Sequence, residues 1–316
     1  MSQKSITIIG PTASGKSAMA VAIAKKLNGE IISADSRQIH RNLDIGTGKE
    51  PGKIITNNAQ GKYTKTAYVS NGVPHYMIDI VHPNTEYNVQ KFVKKAKNIR
   101  SDIWHRNNLP IIAGGTMFWA QALLEDATFP SVKPNKELRN NLKAKSSKEL
   151  FKILQKKDSA YAKKVDKNNP VRLIRAIEIA TELGSVPAQK NKKIDSSKHL
   201  IIAISHPREV LYNAIEKRMD KWFDEGIFEE IKHAHYELNV PWTRLESFGL
   251  EYKWCTRYVR GQISFDQMRD NTIRDLKNYA KRQETWIRRW ERQGTKIHRV
   301  TKTSEAIKLC KNFLNN

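Results

Sequence analysis

The chain has 316 residues, of which 56 are Lys or Arg and 32 are Asp or Glu, giving a net charge of +24 and an isoelectric point near 9.9. This length favours two domains. The charge favours a polyanionic partner over a merely basic solvated surface, and among such partners it favours nucleic acid over an anionic membrane. Its two distant cysteines argue against a disulfide scaffold and a zinc site, and the lack of a targeting or membrane-spanning run predicts a cytoplasmic protein that binds no membrane.

The first predicted strand (5–9) and helix (18–27) flank the most informative segment of the chain. The motif G-x-x-x-x-G-K-[ST] is matched there by Gly10, Pro11, Thr12, Ala13, Ser14, Gly15, Lys16 and Ser17. Loops of this kind surround a diphosphate with backbone N–H groups, and the following helix N-terminus adds partial positive charge. Lys16 supplies a cation and the Ser17 hydroxyl a ligand for Mg²⁺, so we expect a diphosphate site that uses Mg²⁺.

Two further strands are predicted, at 30–34 and 109–113, separated by a loop-rich stretch, a short apolar segment (75–80) and a helix (88–106). This alternation predicts an α/β fold, a P-loop NTPase-like parallel sheet flanked by helices. The strand ends should then meet at one pocket. A nucleotide hydrolase needs an acidic residue after a later strand, but Gly114 and Gly115 follow 109–113. Asp35 is left as a Mg²⁺ ligand, a general base or a simple turn cap.

The composition changes after about residue 126. Residues 131–198 hold 18 Lys or Arg against seven Asp or Glu. The segment is predicted to be helical at 136–142, 147–157, 159–165 and 170–183, before a strand at 200–205. We therefore expect an all-helical insertion, 126–198, within an α/β core of 1–125 and 199–316.

More helices are predicted beyond residue 205, at 209–224, 228–238 and 265–292. In the last of these, Lys281, Arg288 and Arg292 share one face, and an apolar stripe lies opposite. Trp286 and Trp290 are more typical of packing than of base stacking.

Several motifs, in order, resemble those of the tRNA dimethylallyltransferases (tRNA isopentenyltransferases). Residues 35–49 resemble D-S-x-Q-x-Y-x-x-M-D-I-G-T-A-K, residues 114–116 the G-G-T turn, residues 130–139 the start of the helical insertion, residues 169–178 N-D-P-x-R-x-x-R-A-L-E, and residues 279–286 Y-A-K-R-Q-x-T-W. The resemblance extends from about residue 6 to about residue 292. The chain departs from the pattern at His40, at Met117-Phe118-Trp119, at 274–278 and at Phe248–Lys253, which stands near the usual I-G-Y-K-[EQ].

The resemblance implies transfer of the dimethylallyl group from dimethylallyl diphosphate to N6 of the adenosine immediately 3′ of the anticodon, with release of diphosphate. It makes Asp35 the general base and Arg218 a diphosphate ligand beside Lys16, and it places Thr116 at the reacting groups. The target base would be extruded from its stack to reach them. Contacts to tRNA are implied at Asp35, Ser36, Arg37, Gln38, Thr116, Arg139, Val171, Arg172, Leu173, Ile174, Arg175, Lys281 and Arg282.

Three other functions fit parts of the sequence. A small-molecule P-loop kinase would lack its second acidic residue and leave the +24 charge unused. An adenylate isopentenyltransferase would not need the basic insertion, and a non-catalytic RNA-binding protein would not need Lys16. We therefore expect a monomeric enzyme whose partners are dimethylallyl diphosphate and the tRNA anticodon stem-loop.

Overall fold

The protein divides into two compact units, residues Met1–Asp126 with Lys193–Asn316 and residues Ala127–Lys192. The computed structural model describes residues 3–57, 65–188 and 192–315. The second unit falls inside the segment predicted as a helical insertion. None of the helices in these ranges is long and apolar enough to span a bilayer.

The first unit begins with nine elements. In chain order they are β1 (Ser5–Ile9), α1 (Lys16–Leu27), β2 (Gly29–Ser33), β3 (Gly52–Asn57), β4 (Lys65–Ser70), β5 (Val73–Tyr76), α2 (Val89–His105), β6 (Leu109–Ala113) and α3 (Met117–Leu124). The second unit follows with α4 (Lys136–Lys143), α5 (Ser147–Lys157), α6 (Ser159–Ala162) and α7 (Pro170–Leu183). The first unit then resumes with β7 (His199–Ile204), α8 (Arg208–Asp224), α9 (Ile227–Tyr236), α10 (Trp242–Ser247), α11 (Leu250–Val259), α12 (Phe265–Arg292), β8 (His298–Val300) and α13 (Thr303–Asn315).

The strands form one sheet in the order β3-β4-β5-β2-β6-β1-β7-β8. Every pairing from β5 to β8 is parallel, whereas β3 and β4 pair antiparallel at one edge. All residues of β1, β2 and β6 are buried, as expected of parallel strands covered on both faces. Ile6 of β1 lies between Ile111 of β6 and Leu200 of β7. The predicted α/β class with a parallel sheet is confirmed.

The expectation of loops between β2 and the apolar segment at 75–80 was wrong, because this stretch contains β3, β4 and the start of β5. The two added strands lie at the sheet edge, and the side chains of residues 52–56 in β3 are all exposed, Ile54 and Ile55 by about half. Such strands lack the continuous apolar run of a buried parallel strand. Strand β8 and helix α13, at the end of the chain, were not predicted either.

The second unit is a small helical core. Its buried side chains include Leu142, Leu150, Leu154, Leu173 and Ile177. Helix α5 starts with a capping box in which Ser146 and Glu149 bond each other's backbone N–H groups, and α7 starts at the Asn169 cap with Pro170 in its first turn. These local signals explain why α5 and α7 match the predicted ranges.

Candidate active site

The loop between β1 and α1 has the geometry of an anion-binding cradle. A Cβ atom on Gly10 would lie 2.8 Å from Ser14 Oγ and 3.1 Å from the Ile204 carbonyl oxygen, so only glycine fits there. Gly15, with a φ of 86°, starts α1 from the left-handed region. No side chain from the described residues caps the helix start, which leaves N–H donors for a ligand.

Lys16 lies within this cradle and donates to the Pro11 carbonyl oxygen over 2.6 Å. Burial and the nearby Arg218 charge together lower the pKa of Lys16 to about 8, against the opposing effect of the Asp35 carboxylate. The lysine is therefore mostly charged at neutral pH. It can leave its backbone partner when an anion enters.

Asp35 directly follows β2 and turns one carboxylate oxygen toward the backbone. Oδ1 accepts the Arg37 N–H at 2.9 Å, so the turn-cap role is present. Oδ2 points to the turn after β6, because a Cβ on Gly115 would lie 3.1 Å from it. No cation among the described residues forms an ion pair with Asp35. Asp35 is thus both a cap and a carboxylate with an available oxygen.

These groups meet in one cleft, as the strand ends predicted. Its lining includes Thr12, Lys16 and Ser17 from the loop, Asp35, Arg37 and Gln38 after β2, Gly114 and Gly115 after β6, Arg218 from α8, and Tyr279 and Gln283 from α12. The lining also includes residues of α1 and the strands, among them Ala20, Ile31, Tyr68, His75 and Ala113, and Ile78 after β5. Polar and apolar walls thus occur in the same cleft.

Arg218 reaches the cleft from α8, as expected. Burial lowers the pKa of its guanidinium, and the Trp222 ring lies 5.0 Å from the guanidinium carbon. Gly48, with a φ of 61°, leaves the space that this guanidinium fills, since a Cβ there would lie 1.7 Å from Nη2. The guanidinium has no hydrogen-bond or carboxylate partner in the described ranges, so its donors are available to an anionic ligand.

Two α12 side chains connect the walls of the cleft. Gln283 Oε1 accepts the Thr12 N–H at 2.7 Å, and Gln283 Nε2 donates to the Gly115 carbonyl oxygen at 2.8 Å. The Tyr279 hydroxyl donates to the same carbonyl at 2.9 Å. Both residues belong to a motif noted in the sequence, but no role was assigned to them. Their spacing of four in a predicted helix was the available signal.

The other residues near the strand ends that are expected to contact tRNA, Ser36 and Gln38 after β2 and Thr116 after β6, already form hydrogen bonds within the protein. The Gln38 amide accepts from Ser33 Oγ at 3.0 Å and donates to the Gly48 carbonyl oxygen at 3.2 Å. The Thr116 hydroxyl accepts the Ser36 N–H at 3.0 Å and bonds to Ser36 Oγ at 3.1 Å. Neither Ser36 nor Thr116 lines the cleft with Lys16. An adenine would have to replace the two Gln38 contacts.

In the second unit, Val171 and Arg172 are exposed at the start of α7. Arg139 and Arg175 are about one-third exposed, and both pair with the buried Glu178, whose pKa stays below its usual value because their hydrogen bonds outweigh burial. Leu173, expected to contact tRNA, is fully buried in the core of this unit, so its side chain is unavailable to RNA and its contact with tRNA stays a prediction. Ile174 is partly buried against the same core.

The outer face of α12 carries exposed cations, Lys281, Arg282, Arg288 and Arg292. Trp290 is buried, and Trp286 donates its indole N–H to Gln121 Oε1 at 3.0 Å. The prediction that these two rings pack on the protein is confirmed.

Comparison with known proteins gives one consistent result. The profile of the IPP transferase family matches residues 38–290. The chain is 40% identical to tRNA dimethylallyltransferase 1 of Azobacteroides pseudotrichonymphae over 93% of this chain and 91% of that protein. It is 39% identical to tRNA dimethylallyltransferase 2 of Treponema denticola, over 94% and 96%. The crystal structure of full-length tRNA isopentenylpyrophosphate transferase from Bacillus halodurans matches with a TM-score of 0.65 and 30% identity, over 99% of this chain and 96% of that chain.

Proposed function

The chain belongs to the tRNA dimethylallyltransferase (IPP transferase) family, and on this premise we propose that it transfers the dimethylallyl group from dimethylallyl diphosphate to N6 of the adenosine immediately 3′ of the anticodon in tRNA. The observation that carries this proposal is the presence, in one cleft, of an anion-binding loop and of Asp35, which no cation among the described residues pairs with. A phosphoryl-transfer enzyme would need, besides this loop and Asp35, a further acidic residue at a strand end.

Breaking the allylic C–O bond leaves negative charge on diphosphate and cationic character on carbon. The protonated Lys16, the unpaired Arg218 guanidinium and the amides at the start of α1 are aimed at the departing anion. Donors that are fixed before the reaction stabilise such charge without reorganisation. Their positions favour diphosphate as the leaving group.

The residues of the cradle fit a bound Mg²⁺. Ser17 and Asp35 both line the cleft, and a hydroxyl and a carboxylate are oxygen ligands of the kind Mg²⁺ prefers. The described residues hold no cluster of three His, Cys, Asp or Glu side chains for a metal, which suits an ion bound largely through substrate phosphates and water. When bound, Mg²⁺ would neutralise charge on the diphosphate.

The nucleophile is a weakly basic aromatic amine, so its proton needs an acceptor. Asp35 Oδ2 is the available oxygen, and it faces the turn at Gly115 inside the cleft. Asp35 accordingly accepts the N6 proton or orients the amine.

The basic surfaces supply the affinity for tRNA. Exposed cations lie on α12, and the second unit carries much of the excess positive charge of the chain. Such surfaces bind nucleic acid with a steep salt dependence. We assign the second unit and the outer face of α12 to the anticodon stem-loop, and we expect the enzyme to act as a monomer.

The decisive experiment incubates the protein with unmodified tRNA, Mg²⁺ and labelled dimethylallyl diphosphate, followed by nucleoside analysis. Asp35→Asn should lower turnover by about 10²–10⁴-fold, the usual contribution of a general base. Asp220→Asn, an exposed carboxylate on α8, is the matched control and should leave turnover unchanged. Near-normal turnover of Asp35→Asn at saturating tRNA would contradict the assignment of the base.

The alternatives have distinct outcomes in the same assay. Prenylation of free adenylate but not of tRNA would indicate an adenylate isopentenyltransferase. Phosphoryl transfer from ATP without prenylation would indicate a kinase. Salt-sensitive tRNA binding that ignores both Lys16→Ala and dimethylallyl diphosphate would indicate an RNA-binding protein without this activity.

A further inference from the structure

A buried ion pair lies beside the proposed base, between two segments that the family resemblance does not explain. Arg37 occupies the variable position of D-S-x-Q, and Glu251 of α11 lies in the segment 248–253 that departs from the family pattern. The Arg37 guanidinium pairs with Glu251 Oε1. The Glu251 side chain is 0% exposed, and the Arg37 side chain is 18% exposed.

Arg37 also lies next to Asp35 in the cleft. Its backbone N–H bonds to Asp35 Oδ1 at 2.9 Å, and both residues line the cleft. A long arginine side chain two residues from a carboxylate, on the same wall, is able to reach it. Arginine–carboxylate pairs are frequently bidentate and strong, and a carboxylate held in one is a weaker base.

Glu251 is well placed to compete for this guanidinium. Burial raises the pKa of Glu251, and the Arg37 charge opposes that rise. Its Oε2 atom has no hydrogen-bond partner among the described residues, so Arg37 is the main compensation for this buried charge. Loss of either partner would leave the other uncompensated inside the protein.

We propose that Glu251 is a positioning residue that holds the Arg37 guanidinium away from Asp35, so that the Asp35 carboxylate remains unpaired and available to N6 of the target adenosine. The inference rests on the role of Asp35 in the proposed function. The other charged or titratable groups that face Asp35 are Lys16, Arg218 and Tyr279. Arg218 is itself attracted by the Glu251 charge, so an Arg37→Met background is needed to separate the effect of Arg37 from that of Arg218.

The test is single-turnover prenylation near neutral pH by Glu251→Gln, with Glu246→Gln as the control. Glu246 forms ion pairs with Arg257 and Arg260 and is not among the residues that line the cleft. In Glu251→Gln, Arg37 should swing to Asp35. The value of kcat should then fall by about tenfold or more, with little change in KM for dimethylallyl diphosphate.

A double-substitution cycle separates this role from a structural one. In an Arg37→Met background, Glu251→Gln should have no further effect on kcat, because the competing guanidinium is gone. A folded Glu251→Gln variant with the wild-type kcat overturns the proposal, and so does an equal effect of Glu251→Gln in both backgrounds. If Glu251→Gln does not fold, Glu251→Asp keeps the charge on a side chain that is shorter by one methylene; an unchanged kcat in that folded variant also overturns the proposal.

Failure of this inference is distinguishable from failure of the proposed function. If the wild-type protein does not prenylate tRNA, the function itself is wrong. If wild type is active and Asp35→Asn is impaired while Glu251→Gln matches Glu246→Gln, only the role of Glu251 is wrong.

Discussion

Replacing Gln283 with alanine should weaken binding of dimethylallyl diphosphate more than any step that involves tRNA. The Gln283 side chain is 3% exposed and bridges the Thr12 N–H and the Gly115 carbonyl oxygen, at 2.7 and 2.8 Å. It thereby fixes the distance between the diphosphate loop and the turn that faces Asp35. Gln283→Ala removes that connection and leaves the side chains of Lys16 and Asp35 in place.

The expected magnitude follows from which groups lose their partners. Gly115 keeps the Tyr279 hydroxyl as a donor at 2.9 Å, whereas no other described residue accepts the Thr12 N–H. One buried donor is therefore left unpaired, which costs about 1–3 kcal/mol of stability. Displacement of a catalytic loop by about 1 Å costs on the order of 10²-fold in rate. We expect kcat/KM for dimethylallyl diphosphate to fall by about 10- to 100-fold.

The assay measures initial rates with each substrate varied in turn, beside thermal unfolding of each variant. Gln283→Glu keeps an acceptor for Thr12 but sets a carboxylate oxygen against the Gly115 carbonyl, so it should impair diphosphate binding at least as much as Gln283→Ala. Asn271→Ala, an exposed amide of α12 that bonds within its own helix, is the control. The reasoning is refuted if Gln283→Ala stays within about twofold of wild type in KM for dimethylallyl diphosphate while Asn271→Ala behaves identically.

Two further predictions use charges. Because the pKa of Lys16 in the free protein is lowered to about 8, KM for dimethylallyl diphosphate should rise as the pH increases through about 8 and the lysine loses its proton. The value of kcat should stay level, because bound diphosphate keeps Lys16 charged. Initial rates from about pH 7 to 9.5 test this: Lys16→Arg should remove the pH dependence of KM, and a flat KM in the wild type would contradict the prediction. Glu178→Ala should destabilise the second unit by about 2–4 kcal/mol, since two arginines and the Asn135 N–H lose a buried acceptor. Urea unfolding measures this loss of stability, and Glu182→Ala, an exposed position on the same helix, is the control. Equal unfolding midpoints for the two variants would contradict the prediction.

Buried and strongly periodic elements were predictable from sequence. Strand β6 is a continuous apolar run and β1 is a short isoleucine-rich one, and the predicted helix 265–292 matches α12 because a polar face and an apolar face repeat over 28 residues. The edge strands β3 and β4 were not predictable, since their pattern depends on pairing with each other and with β5. Short β8 gains its stability from β7, a partner almost 100 residues away in sequence.

The residues of the candidate site likewise fall into two groups, those that local sequence predicts and those whose position depends on the fold. The cradle and Asp35 follow a motif and a strand end, both local in sequence, and were predicted by residue. Arg218 was predicted only through the resemblance, and its accommodation by Gly48 depends on a left-handed turn 170 residues earlier. Glu251 gave no signal of its own, because a glutamate on a helix is ordinarily exposed. Its importance follows from complete burial against Arg37, which only the fold creates.

Helix α12 shows why these parts belong to one mechanism. Tyr279 and Gln283 bind both walls of the cleft from one face, while Lys281 and Arg282 lie exposed between them in sequence. The helix is 28 residues long and packs on the core through Leu276, Ala280 and Ile287 among others. In the proposed function, an RNA phosphate bound at Lys281 or Arg282 is bound to the same helix that contacts the diphosphate loop through Gln283. The proposed function thereby connects recognition of tRNA with placement of the leaving group through α12.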